Sequence, residues 1–283
     1  MREILGILDR YKYYGYGKKY IFHGQNDHNI RRSFIVNQML GQDTAFNVLR
    51  CWDEMVQAGS IEPLYTTHQN AIVSNRFKIA LNDQTFIPKI YVVKSLSRRL
   101  IALTFHSAAH RNFSTCIYLN DNRIHVPLPL AVLDEYKTGI LMTSVLFMKK
   151  LPEQLIPYKQ YAKDLNALPQ NIQEQFLSEV GHSLGRLHNL GVYTEDTDKN
   201  MMVGYMEGVF DFYYYDFDNY YPWRIPNYRR SNHAVCRFLS QRIYPFIHNQ
   251  SKIFIKAYVQ ERKKPTWEER LVKSWEERLV RYF

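Results

Sequence analysis

Ile172, Phe176, Val180, Leu184 and Leu187 recur at intervals of four, four, four and three residues between Asn171 and Leu190. That spacing lays one apolar stripe along a helix and predicts that the stripe faces a core. His188, on the last turn before Gly191, reads as a buried histidine closing the helix and not as a catalytic base. Asp43 to Gly59 repeats the pattern on a smaller scale, with Asp43 as cap, Phe46, Leu49, Trp52 and Val56 at helical spacing, and Gly59 as stop. Residues 71–81 and 85–93 read as strands separated by Asn82-Asp83-Gln84, a hairpin turn. Gly139 to Leu146 is another apolar strand. Met201-Met202-Val203 and Val209 to Tyr215 flank the turn Gly204 to Gly208 and predict a second hairpin. Tyr11 to His23, aromatic and basic with Gly15 and Gly17, carries a weaker hairpin signal.

The C-terminus repeats Trp-Glu-Glu-Arg-Leu-Val at 267–272 and 275–280. Thr266 with Glu269 makes a capping-box pattern after Pro265. Trp267, Leu271, Trp275, Leu279 and Phe283 then form a ridge every four residues, bordered by Arg262, Lys263, Lys264, Lys273 and Arg281. Docking of this ridge on the protein body is the expectation; a basic amphipathic helix lying on an anionic membrane is the alternative.

At 283 residues the chain is long enough for one large bilobal unit or two small domains. Its 46% hydrophobic and 15% aromatic content is that of a globular protein. The three cysteines, Cys51, Cys116 and Cys236, are odd in number and lack a Cys-x-x-Cys pair, which argues against a disulfide framework or a zinc site and for a reducing cytoplasm. The net charge of +10 selects anionic partners: nucleotide, phosphorylated glycan, membrane surface or nucleic acid. Residues 1–9 are too short and too acidic for a signal peptide, and no apolar run approaches a bilayer span. The expected location is cytoplasmic, with peripheral contact to the inner membrane where the terminal helix binds it.

The chemistry gathers after the long helix. An acidic loop holds Glu195 and Asp196 and closes at Asn200; a predicted hairpin follows, and then Asp216-Phe217-Asp218. An Asp, an Asn a few residues on, and an Asp after a hairpin is the layout that phosphoryl transfer from ATP requires. The first acid orients the attacking hydroxyl and accepts its proton, while the Asn and the later Asp hold Mg²⁺ on the phosphates. An isolated Asp-Phe-Asp carries no such meaning; the hairpin that brings Asn200 and Asp216 to adjacent strand ends gives it one.

Leu187-His188, Gly191-Val192, Asp196, Asn200 and Asp216-Phe217-Asp218 fall in the order found in protein-kinase-like folds. Among these the chain resembles the bacterial lipopolysaccharide kinases, which phosphorylate Kdo or heptose. Two positions depart from the pattern. Thr194 stands where the family has His, and Asp196 lies four residues before Asn200, one fewer than the kinase spacing. Glu195 supplies the five-residue spacing, whereas counting from Gly191 puts Asp196 in register as the catalytic base. The resemblance spans residues 70–240 and is specific around 184–218.

The resemblance implies an α+β, protein-kinase-like bilobal fold: an N-terminal extension over 1–60, a small β-rich nucleotide-binding lobe over 61–146, and a larger, mainly helical lobe over 147–283. It implies ATP and Mg²⁺ as cofactors, with Asn200, Asp216 and Asp218 as metal ligands. Lys94, leaving the strand that ends Ile90-Tyr91-Val92-Val93, stands where kinases place the cation on the phosphates, with Lys78 and Lys89 as rivals. No Gly-rich loop precedes it, and no glutamate follows on the next helix. Asn112, in Arg111-Asn112 where the family has Arg-Glu, is the candidate partner of the lysine ammonium. Asn122 to Ala131 resembles the family's Pro-rich connection, so the strand after it, through Thr143 and Val145, is expected to present backbone groups to adenine. Arg224, Arg229 and Arg230 suit a phosphorylated or carboxylated sugar.

The function so implied is ATP-dependent phosphorylation of a sugar hydroxyl on a core glycolipid. The missing glutamate and Gly-rich loop set against it a catalytically impaired kinase fold acting as a binding or regulatory module. Nucleic-acid binding, supported by charge and aromatic content alone, ranks last.

Overall fold

In the computed structural model, β6 (Pro129–Lys137) and β7 (Ile140–Lys149) pair antiparallel across the two-residue turn Thr138-Gly139. Both turn residues have positive φ, 51° and 79°, the twist that suits a tight hairpin. This hairpin is the centre of a seven-stranded antiparallel sheet. β1 (Gly17–His23) and β2 (Ile30–Asn37) extend it on the β6 side. On the β7 side stands β5 (Gln84–Val92), which carries β3 (Ala71–Val73) and β4 (Ile79–Leu81) along its outer edge. The structure describes residues 17–23, 30–37, 42–57, 71–73, 79–81, 84–93, 107–193, 197, 199–217, 227–239, 248–264 and 266–282.

Neighbouring residues in these strands point to opposite faces, and each face has its own helix. Phe34, Phe86, Ile90, Leu133, Val145 and Phe147 pack with Val48 and Trp52 of α1 (Gln42–Gln57). Ile35, Tyr91, Val132 and Leu146 pack with Ala109, Phe113 and Ile117 of α2 (Ala108–Asp121). Trp52 meets Phe147 edge to face at 5.6 Å. Residues 17–37, expected within an extension over 1–60, instead supply two strands of the sheet, and β2 pairs with β6 from Ile30↔Lys137 to Val36↔Ala131. The expected single strand over 71–81 is two short ones, β3 and β4. The hairpin signal at 11–16 lies outside the described residues.

The chain divides into two compact units. One comprises Met1–Asn120, Pro127–Leu151 and Asp216–Pro222, which includes the sheet; the other comprises Asp121–Val126, Pro152–Tyr215 and Trp223–Phe283. The second is mainly helical. Its long helix α4 (Gln170–Asn189), preceded by the short α3 (Tyr158–Asp164), buries Phe176, Val180, Leu184 and Leu187 as the apolar period predicts. It crosses α6 (His248–Glu261) so closely that a Cβ on Gly181 would lie 2.6 Å from the Phe254 carbonyl oxygen. β9 (Met201–Met206) and β10 (Val209–Tyr214) form the expected hairpin, with the turn reduced to Glu207-Gly208, and the two-residue β8 (Ile156–Pro157) pairs with β9. Tyr158, Phe176, Phe238 and Phe254 are fully buried at the centre of this unit.

Two residues of the terminal ridge are buried inside the second unit. α7 (Trp267–Tyr282) buries Leu271 and Trp275, and the Trp275 indole N–H donates to Ser251 Oγ at 3.2 Å. Trp267 stands 4.7 Å from Tyr228 of α5 (Tyr228–Leu239). Among the described residues no helix is long and apolar enough to cross a membrane.

Candidate active site

β5 reads Phe-Ile-Pro-Lys-Ile-Tyr-Val, one charge inside an apolar run. Alternation turns Lys89 and Tyr91 to the α2 face, and Lys89 is 4% exposed. A buried ammonium without a partner is costly. Lys89 has one: its Nζ is ion-paired to the Asp216 carboxylate, and it lies 5.0 Å from the centroid of the Tyr91 ring. Burial makes this pair unlike a solvated surface bridge, since the lysine side chain is 6% exposed and the Asp216 side chain 37%.

Asp216 is held from both sides. Phe217, immediately after it, is fully buried. Asp216 itself has φ 71°, the left-handed region that Asp and Asn enter more readily than other non-glycine residues. Tyr215, immediately before it, donates its backbone N–H to Asn200 O at 3.0 Å, and the Tyr215 hydroxyl donates to Lys199 O at 2.5 Å. Asn200 in turn donates its N–H to Thr197 O at 3.2 Å, and Thr197 is buried. The end of the acidic loop and the residue leading into Asp216 are therefore tied by backbone hydrogen bonds, as the hairpin predicted.

Lys94, the expected partner of Asn112, lies outside the described residues. The Asn112 side chain donates from Nδ2 to the Tyr91 hydroxyl at 3.0 Å, and its Oδ1 accepts from Cys116 Sγ at 3.3 Å. It positions the ring beside Lys89 and supplies no charge. Thr143 and Val145 differ from expectation. They lie inside β7, which is paired on both edges: Thr143 faces Val92 and Glu135, Val145 faces Ile90 and Leu133. Their backbone groups are committed to the ladder, and the Val145 side chain packs under α1. An interior strand has no free donors or acceptors to offer adenine.

Lys94, Glu195, Asp196, Asp218 and Arg224 lie outside the described residues. Arg229 is exposed on the first turn of α5, and so is Arg230, whose N–H is capped by Asn227 Oδ1 at 3.2 Å. The sequence reading favoured Lys94 at the strand end over Lys89; the signal for Lys89 was its position within an apolar run, where a charge survives only with a partner.

Among the described residues no group of three His, Cys, Asp or Glu side chains is placed to hold a metal ion by itself. Mg²⁺ does not require one, because it takes one or two protein carboxylates and completes its octahedron with phosphate oxygens and water. The Asp216 carboxylate, a hard oxygen donor partly open to solvent, fits that use.

His188 behaves as its helix position predicts. It is buried, and its Nδ1 is 2.8 Å from the Tyr258 hydroxyl. Burial, and secondarily the nearby Arg262 charge, push its pKa down to about 3, so it stays neutral.

No protein-family model matches the chain, and no curated protein matches its sequence. Two of the solved structures that are similar in fold are the following. One, described as WaaP in complex with acyl carrier protein, has a TM-score of 0.52 at 12% identity and covers 76% of this chain and 92% of its own. The other, glucosamine kinase in complex with glucosamine, ADP and inorganic phosphate, has a TM-score of 0.41 at 10% identity, covers 94% of this chain and 85% of its own, and adds nothing to the assignment. With the first, the chain has the protein-kinase-like α+β fold that the sequence implied.

Proposed function

We propose that this chain is an ATP-dependent, Mg²⁺-requiring phosphotransferase of the lipopolysaccharide kinase type, acting on a sugar hydroxyl of a core glycolipid. The observation that carries the reading is the Lys89–Asp216 ion pair, formed between residues 127 apart in the chain. It joins a buried cation on a strand of the sheet to the acid that follows the acidic loop and its hairpin. In this reading Lys89, and not Lys94, holds the phosphates of ATP, and Asp216 turns from the ammonium to Mg²⁺ when nucleotide binds. Asn200 and Asp218 complete the protein's share of the metal ligands. Asp196 is the base that takes the proton of the sugar hydroxyl, and Glu195 holds that role if the five-residue spacing to Asn200 governs. Bound Mg²⁺ supplies neutralisation of charge on the transferring phosphoryl group. Arg224, Arg229 and Arg230 suit the acidic sugar.

The test is phosphate transfer from ATP to core-oligosaccharide acceptors, run beside a thermal-shift titration with Mg²⁺-ATP. Asp196→Asn is expected to lower turnover about 10²–10⁴-fold while leaving the nucleotide shift in place. Glu195→Gln is then mild. No thermal shift at millimolar nucleotide sinks the reading.

A second reading, a kinase fold with impaired catalysis that serves as a binding module, is favoured by Asn112. Where an active protein kinase pairs its lysine with a helix glutamate, this chain engages an uncharged Asn with Tyr91. Binding of Mg²⁺-ATP without transfer to any acceptor selects this second reading.

A further inference from the structure

Arg262, the residue after α6, is 6% exposed, and its Nε and Nη1 have no hydrogen-bond partner among the described residues. A guanidinium is charged at any pH the protein meets, so this is a buried cation with open donors. Its backbone is fixed, the Arg262 N–H donating to Tyr258 O at 3.0 Å. Its Cζ lies 5.2 Å from the centroid of the Trp267 ring, a contact that attracts a cation but satisfies no N–H. The acid beside it in sequence, Glu261, is engaged elsewhere, with Oε2 at 3.4 Å from His182 Nδ1.

A second open group stands nearby. His188 Nε2 is buried and has no partner among the described residues either, while Nδ1 is held by Tyr258. Arg262 is close enough to bear electrostatically on both His188 and Tyr258. The Tyr258 hydroxyl also meets Ser231, whose own proton goes to Asn227 O at 2.8 Å, so the tautomer of His188 follows from where Tyr258 sends its proton. Leaving a buried guanidinium dry and unpaired is unfavourable. An oxyanion offers what Arg262 Nε and Nη1 lack, an acceptor and a counter-charge.

We infer that Arg262, with His188 beside it, forms a buried receptor for a small oxyanion, a phosphoryl or carboxylate group. Arg262 and His188 belong to the second compact unit, and Lys89 and Asp216 to the first. The His188 ring is 5.0 Å from that of Tyr193, two residues before Glu195 in the sequence.

The test is a thermal-shift titration of the full chain, without nucleotide, with sodium phosphate and with sodium acetate against sodium chloride at matched ionic strength. The expected result is a saturable rise in melting temperature with phosphate, acetate or both; which of them acts names the ligand class. The rise is kept in Lys89→Met, which separates this site from the nucleotide site, and lost in Arg262→Met. As a readout independent of that variant's folding, the ¹⁵N resonances of His188 in the wild-type chain move on addition of the active anion. No rise with either anion, a rise that survives Arg262→Met, or His188 resonances that stay put overturns the proposal.

Discussion

The Lys89 ammonium is ion-paired to the Asp216 carboxylate, and the lysine side chain is 6% exposed. The pair closes within the unit that holds the sheet, yet Asp216 follows directly on Tyr215, the end of the hairpin of the other unit. Under the proposed function, nucleotide and metal compete with this pair for the cation and the acid. Lys89→Met tests this directly. Met preserves most of the packing against Tyr91, and the partly exposed Asp216 regains water, so the fold is expected to survive. The Mg²⁺-ATP thermal shift is expected to vanish, and turnover to fall about 10²–10³-fold, the scale of losing one preorganised electrostatic contact. Lys94→Met is expected to change neither. The comparison of the two variants by thermal shift decides which lysine holds the phosphates.

Asp216 separates backbone from charge. At φ 71° an Asn is tolerated as well as an Asp, whereas a residue without a short polar side chain is strained. Asp216→Asn is expected to keep the fold and to raise the Mg²⁺ concentration needed for the nucleotide shift. Asp216→Ala adds a backbone cost of about 1–2 kcal/mol on top of the same metal defect. Urea midpoints for the two variants, set beside Mg²⁺ titrations, show whether the two effects separate.

Much of the second unit could be read from periodicity because α4 has one buried face. Of the predicted stripe, Phe176, Val180, Leu184 and Leu187 are buried, and Ile172 on its first turn is half-buried. The first sheet was harder because it is covered on both sides. Phe34 and Val36 face α1 while Ile35 faces α2, so β2 shows no apolar–polar alternation to mark it as a strand. The pairing of Thr143 and Val145 on both edges of β7 was hidden for a related reason: apolar spacing announces a strand but not whether neighbours occupy both of its edges. Lys89 was passed over because strand-end lysines are familiar phosphate ligands, whereas a lysine inside the run needs a partner 127 residues away that no local pattern reveals.

The α4–α6 crossing gives a stability prediction. A Cβ on Gly181 would lie 2.6 Å from the Phe254 carbonyl oxygen and 3.2 Å from the Tyr258 nitrogen, both rigid helix backbone. Gly185 would meet Glu261 Cβ at 2.7 Å, which is fixed to the α6 backbone, and the Tyr258 carbonyl oxygen at 3.2 Å. Gly181→Ala and Gly185→Ala are therefore each expected to cost at least the 1–3 kcal/mol typical of overpacking. Chemical denaturation followed by circular dichroism measures both; a negligible cost at either would mean that the helices separate freely.

α7 yields a different outcome from the one a membrane helix would give. Leu271 is 1% and Trp275 3% exposed, so their apolar area is already removed from water. Trp275→Ala is expected to destabilise the second unit by about 3–5 kcal/mol, and deletion of 263–283 to unfold it or leave it prone to aggregation. Anionic-vesicle flotation of a folded Trp275→Ala chain is expected to match wild type. Loss of vesicle binding from that variant at unchanged stability would return the ridge to the membrane.

His188 sets the acid limit of the second unit. Burial, and then Arg262, hold its pKa near 3 in the folded chain, against 6.5 when exposed. Between those values the unfolded chain binds a proton that the folded chain refuses, so stability rises with pH across this window. It is full above 6.5 and falls progressively toward about 3. The slope approaches 1.4 kcal/mol per pH unit for this one group, and the total is on the order of 5 kcal/mol. His188→Gln keeps a hydrogen-bonding side chain toward Tyr258 but does not titrate. It is expected to be less stable than wild type at pH 7.5 and to lose less stability on going to pH 5. Urea midpoints at the two pH values, in buffer free of phosphate and carboxylate so that the Arg262 site stays empty, measure the difference. Parallel pH profiles for the two proteins would show that His188 accepts its proton as readily folded as unfolded, and that the charge of Arg262 is neutralised in solution by a group that the structure does not place beside it.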